Sequence, residues 1–207
     1  MGVVLQYYFN GINTDIPDAN PSGLVDPEVV STGYIAIQSA IVDITIQSTG
    51  SGAFNGDRYA YLSHGGGIAV LLNRRGVTGG NAYGYEDIGF TSVRFSDSAA
   101  NGDVHLYQTI AALAANGALT GTWPPDGRNV NPATVLDSTP RNATLGTFIG
   151  ADPSGSWTLF VADMSGGGTA RLVSWSLNIT AVPEPVTCAF TVGSLLIGFA
   201  LWRVRRR

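Results

Sequence analysis

Apolar and polar residues alternate along most of the chain with a period of two, which is typical of β-strands rather than helices. The alternation is clearest in residues 157–161, which begin with Trp157, and in residues 173–179, where Trp175 stands between two serines. The Gly-rich segment 163–169 separates these runs and has the composition of a hairpin loop. We therefore expect the two strands to pair, with both tryptophans on the buried side.

The same periodicity predicts further strands and leaves some segments open. A second hairpin over residues 57–72 has its tip at residues 63–67. Residues 105–116 fit either a short helix or a loop, because their apolar spacing is helical but they are rich in Ala and Asn. The other expected strands are residues 1–9, 34–38 and 41–47, with a strand end within 90–99 and a short edge segment at 145–150.

This pattern predicts an all-β, jelly-roll-like β-sandwich over residues 1–180, followed by a single transmembrane helix. The composition agrees, since 27 of the 207 residues are glycine and only 13% are charged. Residues 1–182 contain 14 acidic and 7 basic side chains, a net charge of −7, which argues against a nucleic-acid surface. Cys188 is the only cysteine, so the chain has no intrachain disulfide and no Cys-based metal site.

The C-terminal segment differs completely from the preceding sequence. Residues 181–185 form a linker that contains Pro183, Glu184 and Pro185, and residues 186–202 carry no charge. Such a stretch is at the short limit for crossing about 30 Å of hydrocarbon as a helix. The basic segment 203–207 indicates a cytoplasmic end, so residues 1–182 are expected outside. Because residues 1–9 lack the features of a signal peptide, we expect additional sequence upstream.

Several segments match the pattern of one extracellular domain family. The final stretch has Gly155, Trp157, Leu159 and Asp163 in its first strand, and the order Leu172-Val-Ser-Trp-Ser-Leu177 in its second. Residues 16–18, 56–57 and 71–76 match further parts of the pattern. Over roughly residues 13–180 the chain resembles the P domain, or Homo B domain, which follows the catalytic domain in proprotein convertases and bacterial subtilisin-like proteases. The resemblance implies a β-sandwich without catalytic residues of its own.

The tail resembles a second known signal. Its order of Pro-Glu-Pro motif, apolar span and basic end is similar to the PEP-CTERM sorting signal of Gram-negative bacteria, which an exosortase recognises. The signal residues are Pro183, Glu184, Pro185, Arg203, Arg205, Arg206 and Arg207. The resemblance implies export, a temporary membrane anchor, and exosortase as a partner.

The histidines do not form a catalytic constellation in the sequence. His64 is followed by three glycines, similar to the oxyanion loop of esterases, but no Gly-x-Ser-x-Gly nucleophile motif accompanies it. A turn is the better interpretation of this segment. His105 lacks a second histidine at zinc-binding spacing and is expected to be exposed at a strand end.

Four carboxylates stand at expected strand ends or turns: Asp18, Asp57, Asp97 and Asp163. Loops of β-sandwiches assemble calcium sites from such residues and nearby carbonyls, and some P domains bind calcium. Capping of turns is the competing interpretation, because aspartate commonly bonds its own backbone there.

Two functional hypotheses follow. In the first, the chain is an exported, non-catalytic surface module, tethered or released by exosortase, that binds or stabilises a component such as an extracellular polymer. In the second, it is the C-terminal accessory part of a subtilisin-like serine endopeptidase whose catalytic domain lies upstream or on another chain.

Overall fold

The protein is a sandwich of two β-sheets. The computed structural model describes residues 2–110, 113–114 and 116–183. The strands are β1 (Val3–Ile16), β2 (Asn20–Val30), β3 (Tyr34–Ser48), β4 (Arg58–His64), β5 (Gly67–Asn73), β6 (Phe90–Phe95), β7 (Thr122–Trp123), β8 (Gly155–Asp163) and β9 (Ala170–Pro183). Short 3₁₀ turns occupy Asn55–Asp57, Val104–Thr109, Pro132–Thr134 and Leu145–Phe148.

The nine strands are divided between the two sheets. One sheet has the order β1-β9-β3-β6-β7, and the other has the order β2-β8-β4-β5. All neighbours are antiparallel except the short β6–β7 pair. Apart from β7, this is the strand order of a jelly roll, in which β1, β2 and β3, and again β8 and β9, cross from one sheet to the other. The prediction of an all-β sandwich is confirmed.

Alternation within each strand supplies one core between the sheets. Every second residue of β3 from Ala40 to Ile46 is buried, and Trp157, Leu159 and Val161 of β8 face them from the opposite sheet. Trp175 of β9 belongs to the same core, and its indole N–H donates to the Asp26 carboxylate of β2 over 2.6 Å. This bond joins the two sheets directly, because β9 and β2 belong to different sheets.

The expected hairpin between residues 157–161 and 173–179 is wrong. β8 pairs with β2 and β4, and β9 pairs with β1 and β3, so the Gly-rich connection is an arch between sheets. The prediction that both tryptophans are buried is correct, but they reach the core from opposite sides. Each lies on the buried face of its own strand, and the two strands belong to different sheets. Alternation alone cannot distinguish these arrangements.

At the start of β9, the buried positions also differ by one residue from those that the sequence predicts. Leu172 is fully buried, whereas Val173 is partly exposed. Thr45 pairs with Ser174 and Ile46 pairs with Leu172, so Val173 is the extra residue of a β-bulge. The bulge exchanges the faces of the residues that precede it.

The hairpin predicted over residues 57–72 is confirmed as β4 and β5, with His64 opposite Gly67. Its two central residues, Gly65 and Gly66, have positive φ angles of 55° and 85°. A tight two-residue hairpin turn requires this left-handed backbone, which glycine adopts readily.

Other boundaries differ from the sequence predictions. The two strands expected over 34–38 and 41–47 form the single strand β3. The segment 105–116 contains only the 3₁₀ turn Val104–Thr109 in its described part, and 145–150 contains a 3₁₀ turn instead of an edge strand. No helix among the described residues is long and apolar enough to span a membrane, and the predicted transmembrane segment 186–202 and basic tail 203–207 lie outside those residues.

The β8–β9 arch closes tightly on the turn after β3, which makes Gly168 a sensitive position. A methyl group there would lie 2.3 Å from the Ala53 backbone nitrogen and 2.5 Å from the Ser51 carbonyl oxygen. We expect Gly168→Ala to lower the free energy of unfolding by about 1–3 kcal/mol in urea titrations, because backbone atoms must move. Gly79→Ala is the control, since its methyl group meets nothing within 4 Å, and equal effects of the two variants would contradict this closure.

Candidate functional site

The four predicted carboxylates do not converge on one point. Asp97 accepts hydrogen bonds from the backbone N–H groups of Leu145 and Gly146, at 3.1 and 2.6 Å. Asp18 accepts from the Gly167 N–H at 3.3 Å. These two carboxylates therefore fasten loops, as the turn-capping interpretation predicts.

Asp57 and Asp163 do lie together, where β4 begins beside the end of β8. Asp163 forms a buried ion pair with Arg58, and Asp57 lies 3.7 Å from an Arg74 nitrogen. Burial raises the pKa of both carboxyls, and the charge of Asp57 adds to the rise at Asp163. No three His, Cys, Asp or Glu side chains in the described ranges cluster as metal ligands do. Calcium binding by Asp18, Asp57, Asp97 and Asp163 stays a prediction.

His64 is a packing residue at the end of β4. Its ring stacks on Trp157 with centroids 4.0 Å apart and planes within 1°. Its two ring nitrogens lie 3.0 Å from the Ser156 carbonyl oxygen and 2.7 Å from that of Asp152. Both nitrogens are therefore engaged by the backbone and are not available to activate a hydroxyl nucleophile.

His105 is not the exposed residue that the sequence predicted. Its side chain is fully buried in the 3₁₀ turn, where Nδ1 lies 3.1 Å from the Asp126 carboxylate and Nε2 lies 2.8 Å from the Val77 carbonyl oxygen. The Pro-rich segment 121–140 packs against β5 and brings Asp126 to this position, since the Asp126 N–H donates to the Leu71 carbonyl. A long-range contact of this kind leaves no local pattern.

Buried arginines form a second group that sequence reasoning missed. Arg128 donates to Asp103 at 2.5 Å and to Asp126 at 3.1 Å, and also to the carbonyls of Leu136 and Asp137. Together with His105 these side chains form a buried polar network that fastens the long loops against β5. The adjacent glycine and polar residues gave no indication that Arg128 would be buried.

Arg75 is buried without a carboxylate partner among the described residues. Its guanidinium lies 4.6 Å from the centroid of the Phe90 ring and donates to the Asn55 carbonyl oxygen. Burial lowers the pKa of Arg75 to about 10. Even so it stays charged at neutral pH, so the cation is held by an aromatic face and a backbone dipole.

Removal of Arg128 tests the buried network. We expect Arg128→Met to lower the free energy of unfolding by about 3–5 kcal/mol, because it leaves Asp103 and Asp126 buried without their partner. The matched control is Arg171→Met, which breaks an exposed pair with Asp15 and should cost less than about 1 kcal/mol. Chemical denaturation of both variants measures the difference, and a small loss for Arg128→Met would contradict a structural role for the network.

The network also predicts an acid limb of stability. Burial by itself would raise the pKa of Asp103. Hydrogen bonds from the Arg128 side chain and the His105 backbone N–H, together with the charges of Arg128 and Arg141, nevertheless hold this pKa below its ordinary value. Asp103 therefore stabilises the fold fully above its unfolded pKa of about 3.9, and this contribution disappears as pH falls through its lower folded pKa. Wild type should be more stable than Asp103→Asn at pH 6, and the two should converge below about pH 4.

Asp57 provides a control of opposite sign for that measurement. Because burial raises the pKa of Asp57, its contribution is present at low pH and is lost as pH rises through the folded pKa. The stability of wild type relative to Asp57→Asn should therefore fall with rising pH, whereas relative to Asp103→Asn it should rise. Parallel pH profiles would contradict the assignment.

A polar cleft with a volume of about 420 Å³ lies on the outer face of the five-stranded sheet. Its lining comes from strands β1, β9, β3, β6 and β7, and the central strands β3 and β9 form its floor. The cleft is lined by Tyr8, Asn10, Asp43, Thr45, Ser92, Arg94, Gly121, Thr122, Ser174, Trp175 and Ser176.

Asp43 is the centre of the cleft floor. Arg94 donates to both of its carboxylate oxygens, at 2.7 and 3.1 Å, and Ser176 and Asn178 donate at 2.9 and 3.3 Å. Register pairing causes this convergence, because Asp43 lies opposite Arg94 on β6 and opposite Ser176 on β9. The bidentate pair fixes the guanidinium of Arg94, which remains half exposed.

A local irregularity shapes one wall of the cleft. Ser92 has a left-handed φ of 48°, unusual for a residue within a strand, and its N–H donates to the Thr45 hydroxyl at 3.2 Å instead of a ladder carbonyl. The β3–β6 register shifts between Ile44 and Ile46 at the same place. Such bulges redirect side chains and are enriched beside binding sites.

The sequence contained only a partial signal for this cleft. The polar positions 174, 176 and 178 of β9 were expected to face away from the core, as they do. Nothing in the order of residues indicated that Asp43, Arg94 and Tyr8 would join them, since these come from three other segments of the chain.

The fold and this cleft define a β-sandwich domain with an open polar cleft on one sheet. No protein-family model matches the sequence, and no curated protein matches it. A chain in the crystal structure of a serine protease of Aeromonas sobria with a chaperone matches at 14% identity and a TM-score of 0.47, over 89% of this chain and 28% of that chain. The crystal structure of the serine protease of Aeromonas sobria matches at 15% identity and a TM-score of 0.49, over 88% and 27%. At these TM-scores the likeness assigns no function.

Proposed function

We propose that this chain is a non-catalytic binding module of an exported bacterial protein. The observation that carries the proposal is the contrast between its histidines and its cleft. His64 and His105 have both ring nitrogens engaged by backbone oxygens or by Asp126, whereas hydroxyl, amide and guanidinium groups line an open surface. This arrangement favours reversible recognition over covalent chemistry.

Export is proposed from the tail sequence. Pro183 ends β9, and the sequence continues through Glu184 and Pro185 to the uncharged stretch 186–202 and the arginines of 203–207. We propose that an exosortase processes the tail near the Pro-Glu-Pro motif, which leaves the sandwich at the cell surface or in the medium. The absence of lysine and the net charge of −7 over residues 1–182 suit an extracellular domain that does not bind nucleic acid.

A second candidate is a P-domain-like accessory part of a subtilisin-like serine endopeptidase. The resemblance over residues 13–180 motivates it, and one surface feature favours it. Val25 and Val29 on the edge strand β2 are 55% and 77% exposed, and Ile149 is 60% exposed. Exposed aliphatic side chains on an edge strand offer a contact for a neighbouring domain, which would stabilise a protease without contributing to its chemistry.

The decisive measurement is the intact mass, with both termini assigned, of the protein recovered from the surface or medium of its host. We expect an N-terminus a few residues before Met1 and a C-terminus near Pro183, as a small sorted module requires. Several hundred additional residues with a Ser-His-Asp triad would favour the protease accessory part instead. An unprocessed chain from Met1 to Arg207 in the cytoplasm would contradict both functions.

A variant with Arg203, Arg205, Arg206 and Arg207 all changed to Gln supplies the control for sorting. Loss of the basic end should prevent retention and processing of the tail, because these charges fix its orientation. The recovered protein should therefore keep its tail and be heavier than processed wild type, while the denaturation profile of the sandwich should not change. Normal processing of this variant would contradict the sorting proposal while leaving the binding proposal in place.

A further inference from the structure

We propose that the polar cleft over β3 and β9 binds a neutral polysaccharide. The inference rests on the proposed function as an exported binding module and names the ligand class of that module. Four properties of the cleft carry it: its charge balance, its free hydrogen-bonding groups, an exposed aromatic ring and its open shape.

The cleft contains charged side chains but has no net charge. Asp43 and Arg94 are the two ionisable carboxylate and guanidinium groups of the lining, and they neutralise each other in a bidentate pair. An anionic polymer would meet the Asp43 carboxylate, and a cationic ligand would meet Arg94. A neutral ligand with many hydroxyl groups avoids both conflicts and can still accept from the exposed edge of the Arg94 guanidinium.

The walls, together with Ser174 on the floor strand β9, offer hydrogen-bonding groups that the fold does not use. The side chains of Asn10, Ser92, Thr122 and Ser174 make no hydrogen bond to any described residue, although they line the same cleft. In contrast, Asp43 accepts four hydrogen bonds from Arg94, Ser176 and Asn178. The floor is thus fixed by internal bonds, while the walls keep donors and acceptors for hydroxyl groups of a ligand.

Tyr8 supplies an aromatic surface at the edge of this polar cleft. Its side chain is 61% exposed although it lies on β1 beside the floor strand β9, opposite Ser176. A sugar ring presents an apolar face of C–H groups and a rim of hydroxyl groups. Stacking on Tyr8 would cover the apolar face, while Asn10 and Ser174 reach the rim.

The shape favours a polymer over a single sugar. A volume of about 420 Å³ lies within the usual range for ligand sites, roughly 300–1,000 Å³. The side chains of Tyr8, Asn10, Arg94 and Thr122 are exposed at the surface, so the cleft does not enclose its contents. A chain of several sugars can extend along such an open groove and add contacts, whereas a monosaccharide would remain largely solvated.

The other aromatic surface of the molecule is less suited to this role. Tyr61 stacks on Phe160 with centroids 4.7 Å apart, and Tyr59 packs edge-on against the same ring. These rings cover one another on the outer face of the four-stranded sheet, and the concavity beside them contains no charged side chain and no hydroxyl-bearing Ser or Thr. It serves as the comparison surface in the test.

The test is affinity electrophoresis of the full chain in detergent, in gels that contain laminarin, dextran, galactomannan, xyloglucan or the acidic polymer alginate. We expect at least one neutral polymer to retard wild type, and Tyr8→Ala and Arg94→Ala each to weaken its binding about tenfold. Tyr83→Ala is the matched control, because Tyr83 is 83% exposed and lies outside the cleft; its retardation should equal that of wild type.

Three results would overturn the inference: retardation by none of the neutral polymers, retardation by alginate alone, or loss of binding in Tyr61→Ala with binding retained in Tyr8→Ala. Ser174→Trp provides an independent check, because it fills the cleft while both residues of the Asp43–Arg94 pair are kept, and it must also abolish retardation. The experiment separates the two levels of the proposal. If the chain is exported and processed but binds no neutral polymer, only the ligand assignment is contradicted. If the chain is cytoplasmic, the proposed function itself is contradicted.

Discussion

Two consecutive strands that bring their tryptophans to one core from opposite sheets hold this molecule together. Trp157 on β8 and Trp175 on β9 reach the core from opposite sides because the short arch between the strands crosses from sheet to sheet. The crossing requires glycine where the arch meets residues 51–53, and it places Trp175 where its indole N–H reaches Asp26 on the other sheet. The packing of the hydrophobic core and the jelly-roll order of the strands therefore depend on the same crossing between the sheets.

The sequence predicts the class of this fold well because its strands alternate cleanly. The spacing of residues such as Val42, Ile44 and Ile46 is enough to predict which face of the strand is buried. Pairing is different, since the alternation of apolar and polar residues does not distinguish a sequential partner from a distant one. The hairpin expected between β8 and β9 was wrong for that reason, and the bulge at Val173 was not visible because one extra residue leaves the local composition unchanged.

The candidate site was less predictable than the fold. The carboxylates chosen at turns, Asp18 and Asp97, bind loop amides, whereas the carboxylate that organises the cleft, Asp43, lies within a strand and looked like an ordinary solvent-facing residue. His105 and Arg128 were hidden in the same way, because their partners arrive from loops tens of residues distant. The partners of such charged residues are distant in the sequence and follow no periodic pattern. Their roles are therefore recognised only from the three-dimensional structure.

The position of β9 has a mechanical consequence. This last strand is held by hydrogen bonds to β1 on one side and β3 on the other, and its final residue, Pro183, is paired with Tyr34. A pull at Pro183 along the axis of β9, against the rest of the sandwich, acts on both ladders at once. Both ladders would then be loaded in shear over their whole length, instead of separating one bond at a time as the edge strand of a sheet does. The pairing of β9 on both sides thus favours resistance to a pull from the C-terminal side of the domain.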